Sequence, residues 1–286
     1  MRYVLTLSII WLCSLSAYAQ TDSAAAADKK TTFTIGALYT NNASYYGQKA
    51  EEAMPYVAAS AALRFGSGIY FTGTAFRLLN DSGRVVSAGS AGAGIAFNLS
   101  KKLTADLGYS YTFYPANSPF LQAASPHSAN ASLQYEYFLT SGLQLDYNFG
   151  KEQDAFLTFS TEKLISLGSL AKGKDLITLT PAVEITGGSQ RFYQTYVTEK
   201  RYRDSILGLP VPPIFNVPGT GTETTTTTSS ATRFSMLSYN LRVPLAYNRA
   251  HYMIEAAYQL SVLDKNAQTG GGTANSFFSC SIYYQF

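Results

Sequence analysis

The sequence predicts an all-β fold: a transmembrane antiparallel up-and-down β-barrel of about twelve strands over residues 31–286. Three observations lead there. First, the closing segment from Ser276 to Phe286 alternates, with Phe278, Cys280, Ile282, Tyr284 and Phe286 on one face and Phe277, Ser279, Ser281, Tyr283 and Gln285 on the other. An apolar row beside a mostly polar one suits a strand with lipid outside and a lumen inside. Second, charged residues make up only 14% of the chain while aromatics reach 14%, with 22 tyrosines, and mean hydropathy is −0.02. Low charge with abundant tyrosine fits lipid-facing strands flanked by aromatic girdles. Third, long and short connections alternate along the chain, as in barrels with short turns at one end and long loops at the other.

The amino terminus reads as a secretory leader over residues 1–19, with Arg2 as the basic end, an apolar run from Val4 to Leu15, and Ala17-Tyr18-Ala19 as the cleavage site. That run is too short for a spanning helix. Leu12 stands before Cys13 where a lipoprotein signal needs a small residue, which argues against a lipid anchor. Residues 20–30 form a short periplasmic segment. No later apolar run approaches the roughly 18 residues a membrane helix needs, so only a closed barrel would satisfy every backbone group in lipid.

Thr31 to Thr40 is the first strand, with Phe33, Ile35, Ala37 and Tyr39 on one face. Asn41 to Met54 reads as a polar outer loop. Tyr56 to Phe65 and Ile69 to Leu79 flank a Gly66-Ser67-Gly68 turn. Asn80 to Gly83 turns into a Gly- and Ala-rich strand, Val85 to Leu99, whose Gly89, Gly92 and Gly94 suit close packing. Leu103 to Phe113 alternates cleanly. Pro115 to Pro126 is a loop before Ser128 to Leu139, and Thr140-Ser141-Gly142 is a turn signal before Leu143 to Phe149. Ala155 to Glu162 follows. Lys163 to Lys174 reads either as a longer connection or as extensions of its neighbours. Leu176 to Thr186, Arg233 to Tyr247, His251 to Leu263 and Ser276 to Phe286 complete the twelve. The longest connections, 41–54, 115–126, 187–232 and 264–273, all fall at one end, which places both termini in the periplasm.

The leader, the alternation and the aromatic carboxyl end resemble the small outer-membrane β-barrels of the Bacteroidota type. The resemblance covers the whole mature chain and rests on pattern. It implies residence in the cell outer membrane, with outer-membrane lipid and the barrel-assembly machinery as partners. Phe278, Ile282, Tyr284 and Phe286 would then form the insertion signal. Asp22-Ser23-Ala24 and Asp204-Ser205-Ile206 are similar to the O-glycosylation acceptors of such bacteria.

The face assigned to the lumen carries Arg64, Arg77, Asp106, Glu136, Asp146, Glu162, Glu184, Arg242 and Glu255. This row is expected either to line a cation-preferring pore or to pair into a network that fills a narrow barrel. The expected function is a passive, weakly cation-preferring porin-like channel for small solutes. The alternative is a closed surface-interaction barrel acting through residues 187–232. That excursion contains stiff Leu209-Pro210-Val211-Pro212-Pro213 and a Thr-rich tract, and would plug the barrel, contact a ligand or shield the surface.

No catalytic, metal or cofactor constellation emerges. His127 has Ser128 on the opposite face and reads as a girdle histidine, and His251 sits beside a short turn. Cys280, the lone cysteine after cleavage, reads as a small lipid-facing residue. A net charge of +3 gives no reason to expect nucleic acid.

Overall fold

The computed structural model describes residues 30–49, 53–80, 85–115, 125–151, 153–189, 234–265 and 272–286. Strands β1 (Thr32–Thr40), β2 (Tyr56–Arg64), β3 (Ile69–Leu78), β4 (Ala88–Asn98), β5 (Leu103–Phe113), β6 (His127–Glu136) and β7 (Thr140–Phe149) pair in sequence. They are followed by β8 (Gln153–Glu162), β9 (Ile165–Gly168), β10 (Leu176–Leu179), β11 (Ala182–Ser189), β12 (Phe234–Arg249), β13 (Tyr252–Leu263) and β14 (Ala274–Gln285). β1 pairs with β14, and β11 joins β8 to β12, so the antiparallel sheet closes on itself. The fourteen runs make twelve staves, because β8 with β9 and β10 with β11 are each one strand interrupted once.

These interruptions resolve the ambiguity at 163–174. β9 and β10 form a hairpin that extends past the end of β7 along β12. Pro181, which has no N–H to donate, marks the break in one strand. Its carbonyl still accepts from Lys163 N at 3.1 Å across the break in the other.

Alternation explains the closure. In β1, Phe33, Ile35 and Tyr39 are exposed, whereas Thr34, Gly36 and Leu38 face inward and Thr40 is buried. The same exposed apolar row continues through Phe71, Phe97, Leu107, Leu133, Leu145, Phe159, Leu241 and Tyr258. This is a transmembrane barrel, with a lipid-facing belt and a polar inner row. Among the described residues, two buried apolar clusters lie at the long-connection end, around Tyr45, Phe156 and Leu237 and around Met54 and Leu78.

Three expectations need correction. The turn after β6 is Tyr137-Phe138-Leu139, not Thr140-Ser141-Gly142, whose residues pair in β7 with Glu136, Tyr135 and Gln134. Lys163 Nζ donates to the Phe138 carbonyl at 2.7 Å and Lys102 lies 4.5 Å above the Tyr137 ring, so two ammonium groups hold this apolar turn. Arg77 pairs with outward Val57 and belongs to the outer row near the strand end, not to the lumen. Residues 41–49 do not form a simple outer loop but enter the barrel.

Candidate functional site

The chain from Ser44 to Gln48 forms a tight hook inside the barrel. Tyr45 N donates to the Gln48 carbonyl at 2.9 Å, and Gln48 N returns a bond to Tyr45 at 3.1 Å. Tyr46 and Gly47 have φ of 49° and 87°, the two left-handed residues of a type I′ turn. A tyrosine there is costly, and it persists only because its surroundings hold it. Gly47 is required twice: by its φ, and because a β-carbon would stand 2.8 Å from Asn240 Oδ1 and 3.0 Å from Ser238 and Ser261.

Contacts from both sides of the barrel hold the hook. Tyr46 Oη donates to Asp146 Oδ2 at 3.0 Å, and Asn148 Nδ2 donates to Tyr45 Oη at 3.2 Å, both from β7. From the other wall Ser238 Oγ donates to the Tyr46 carbonyl at 2.7 Å and Asn275 Nδ2 to the Gly47 carbonyl at 3.0 Å. The Tyr46 ring stacks on Phe156 with centroids 4.0 Å apart, and Tyr45 meets the same ring edge-on at 5.5 Å. Burial, then the nearby Asp146 carboxylate, keeps the Tyr46 phenol well above its ordinary pKa, so it remains the donor. β7 lies six staves from β1 in either direction around the ring of twelve, so the hook crosses the full lumen.

A bulge completes the seat. The pairing of β11 with β12 shifts between Thr186 and Gly187, and the extra residue, Leu237, is fully buried against Tyr45 and Phe156. A bulge re-aims a side chain that strict alternation would send outward.

Among the described residues, the hook leaves open the side of the lumen walled by β3 to β6. There a vestibule of about 470 Å³ runs between Tyr45 and Tyr46 and a wall of Ser90, Ser110, Thr112 and Ser128. Toward the terminal end the lining becomes charged. Tyr70 Oη donates to Asp106 at 2.8 Å, with the Arg64 guanidinium 5.1 Å over the Tyr70 ring. Gly94 and Gly108 make room for this reach, since a β-carbon at either would collide with the Tyr70 hydroxyl. Arg242 Nη2 pairs with Glu255 Oε1 at 2.8 Å. Glu162 and Arg242 both register against Ala182, with Glu184 on the inward row beyond. Glu136 lies at the rim on the inward row of β6 and is exposed.

The expected lumen residues therefore occupy different environments. Arg64 and Asp106 each meet Tyr70, Arg242 pairs with Glu255, and Asp146 is held by the hook and by Gln144 Nε2 at 2.9 Å. Sequence reasoning missed the hook. Its signal was two aromatics and a glycine, Tyr45-Tyr46-Gly47, inside an otherwise polar loop. The excursion 187–232, the acceptor-like tripeptides and the leader lie outside the described residues, except for Gly187 to Ser189 at the end of β11. His127 sits in an outer aromatic cluster, 2.7 Å from Tyr109 Oη and stacked on Phe149. His251 Nδ1 lies 3.1 Å from the Gln285 carbonyl. Phe278, Ile282 and Tyr284 lie in the outer row of β14. Phe286 beyond them donates its N–H to the Phe33 carbonyl at 2.8 Å.

No protein-family model matches the chain, and no curated protein matches its sequence. Among solved structures it is similar to a KdgM porin, at 10% identity over 88% of this chain and 99% of that one, with a TM-score of 0.49. A NanC porin aligns at 8% identity over 88% and 98%, with a TM-score of 0.45. LpxR from Salmonella typhimurium aligns at 9% identity over 88% and 99%, also at 0.45. Likeness at this level concerns strand architecture alone.

Proposed function

We propose that this chain is an outer-membrane, porin-like channel for small solutes, narrowed by its own first long connection. The observation that carries this reading is the division of the lumen. The hook fills the β7, β8 and β12 side, while among the described residues the β3 to β6 side keeps an opening lined by hydroxyl and aromatic side chains. In this reading the long connections face outside and both termini face the periplasm. The terminal half prefers cations weakly, because Glu162 and Glu184 add negative charge beyond the paired Arg242 and Glu255.

The hook also favours a second reading, a closed barrel that works through its surface. Single-channel recording of the refolded mature chain, Gln20 to Phe286, separates the two. Discrete conductance steps are expected, and silence from a demonstrably folded barrel would favour the closed reading. Glu162→Gln with Glu184→Gln should lower the cation-to-anion permeability ratio read from reversal potentials; an unchanged ratio removes the charge preference. Glu255→Gln should shift that ratio further toward anions, because it also unpairs Arg242.

A further inference from the structure

We propose that the vestibule beside the hook binds an uncharged, polyhydroxylated solute, a small neutral sugar, as it enters the barrel. This rests on the channel reading and deepens it. At about 470 Å³ the space falls within the range of small-molecule sites. Its walls divide into two chemistries. One is aromatic: Tyr46 from the hook, Tyr56 and Phe76 from β2 and β3, and Tyr114 just past β5. Tyr56 and Phe76 are themselves packed edge to face at 5.9 Å, which fixes their rings.

The other chemistry is hydroxyl. Ser90 registers opposite Thr112, and Ser110 opposite Ser128, which in turn pairs with Asn148. Four neighbouring strands, β4 to β7, thus present a continuous inward row of small neutral polar groups. Their backbones pair in the sheet, but the side-chain hydroxyls of Ser90, Ser110 and Ser128 hydrogen-bond none of the described residues. Each hydroxyl both donates and accepts, so each can bond a solute hydroxyl of either orientation.

This combination selects by exclusion as well as by fit. Among the described residues no charged side chain lines the vestibule, so a bound ion would find no counter-charge from them to offset its lost hydration. A purely apolar solute would leave the hydroxyl row unpaired, which costs more than an absent contact. A sugar meets both walls. Its apolar C–H face lies on an aromatic ring and its hydroxyls meet the serines.

The test uses the refolded mature chain, with maltose as the probe and glucuronate and benzyl alcohol as charged and apolar controls. Binding is read by titration calorimetry in detergent micelles and by sugar-dependent interruption of single-channel current. Maltose should bind and interrupt the current from the long-connection side, and both controls should fail. Ser110→Val with Ser128→Val should weaken maltose binding roughly tenfold, about the loss of one or two hydrogen bonds. Phe76→Leu, which keeps an apolar filler but removes the ring face, provides an independent variant if the valine pair does not fold. Maltose binding without conductance would uphold the site while the channel reading fails. Conductance without maltose binding would overturn the site and leave the channel standing. Equal binding of glucuronate would overturn the claim that the solute is uncharged.

Discussion

At Gly47 a single hydrogen atom in place of a methyl group decides whether the lumen is crossed. Gly47→Ala would force an alanine into φ of 87° and against Asn240, Ser238 and Ser261. The expected cost is about 1–3 kcal/mol, and it falls on the hook rather than on the strand ladders. Thermal unfolding should therefore shift little, while single-channel conductance should rise severalfold as the turn withdraws. Unchanged conductance in a folded variant would show that the hook does not limit flow. Asp175 carries a separate residue-scale prediction. Its carboxylate accepts from Ser169 Oγ and from the backbone N–H groups of Ala171 and Leu170, at 2.7 Å and 3.1 Å. Those bonds, Ser169 first, hold its pKa below the ordinary carboxylate value. A lowered folded-state pKa stabilises fully above the unfolded value of about 3.9, and the gain disappears as pH falls through the folded value. The protection factors of the Leu170 and Ala171 amides, which take out the intrinsic pH dependence of exchange, should be high near neutrality and fall only below that range. Asp175→Asn should abolish the acid dependence.

At the scale of elements, strict alternation carries most of the architecture and its exceptions carry the site. β14 keeps Phe278, Cys280 and Ile282 in one exposed row and Asn275, Phe277 and Ser281 in one buried row. Cys280, paired across to Tyr39 and Ala256, therefore lies within the lipid-facing belt. In reconstituted bilayers it should resist a membrane-impermeant charged maleimide and react promptly after denaturation. Prompt labelling of the folded protein would place this face toward water. β12 departs from alternation once, and the departure turns Leu237 inward to seat the hook. The closing strand was legible because one face meets lipid and a one-residue slip would reverse every side chain. The bulge was not, because its cause lies in a partner strand far along the chain. Arg77 was misplaced for a related reason. β3 alternates poorly, and only its pairing with Val57 identifies its outward row.

For the whole molecule, the sequence by itself determined that the chain is a closed antiparallel barrel of twelve staves, which row faces lipid, and which end bears the long connections. Those properties follow from a two-residue period and from turn chemistry, and both are local. Only the tertiary structure decided how the lumen is filled. A connection of ordinary polar composition crosses from β1 to the opposite wall, because Asp146, Asn148, Phe156, Leu237, Ser238 and Asn275 converge on it from four other strands. Their sequence separations from the hook, 100 to 228 residues for the polar bonds at Asp146 and Asn275, leave no periodic trace. Which of the charged residues meet a partner likewise depends on register across strands, as Arg242 and Glu255 show. Local pattern sets which way a side chain points; closing the sheet sets what it meets.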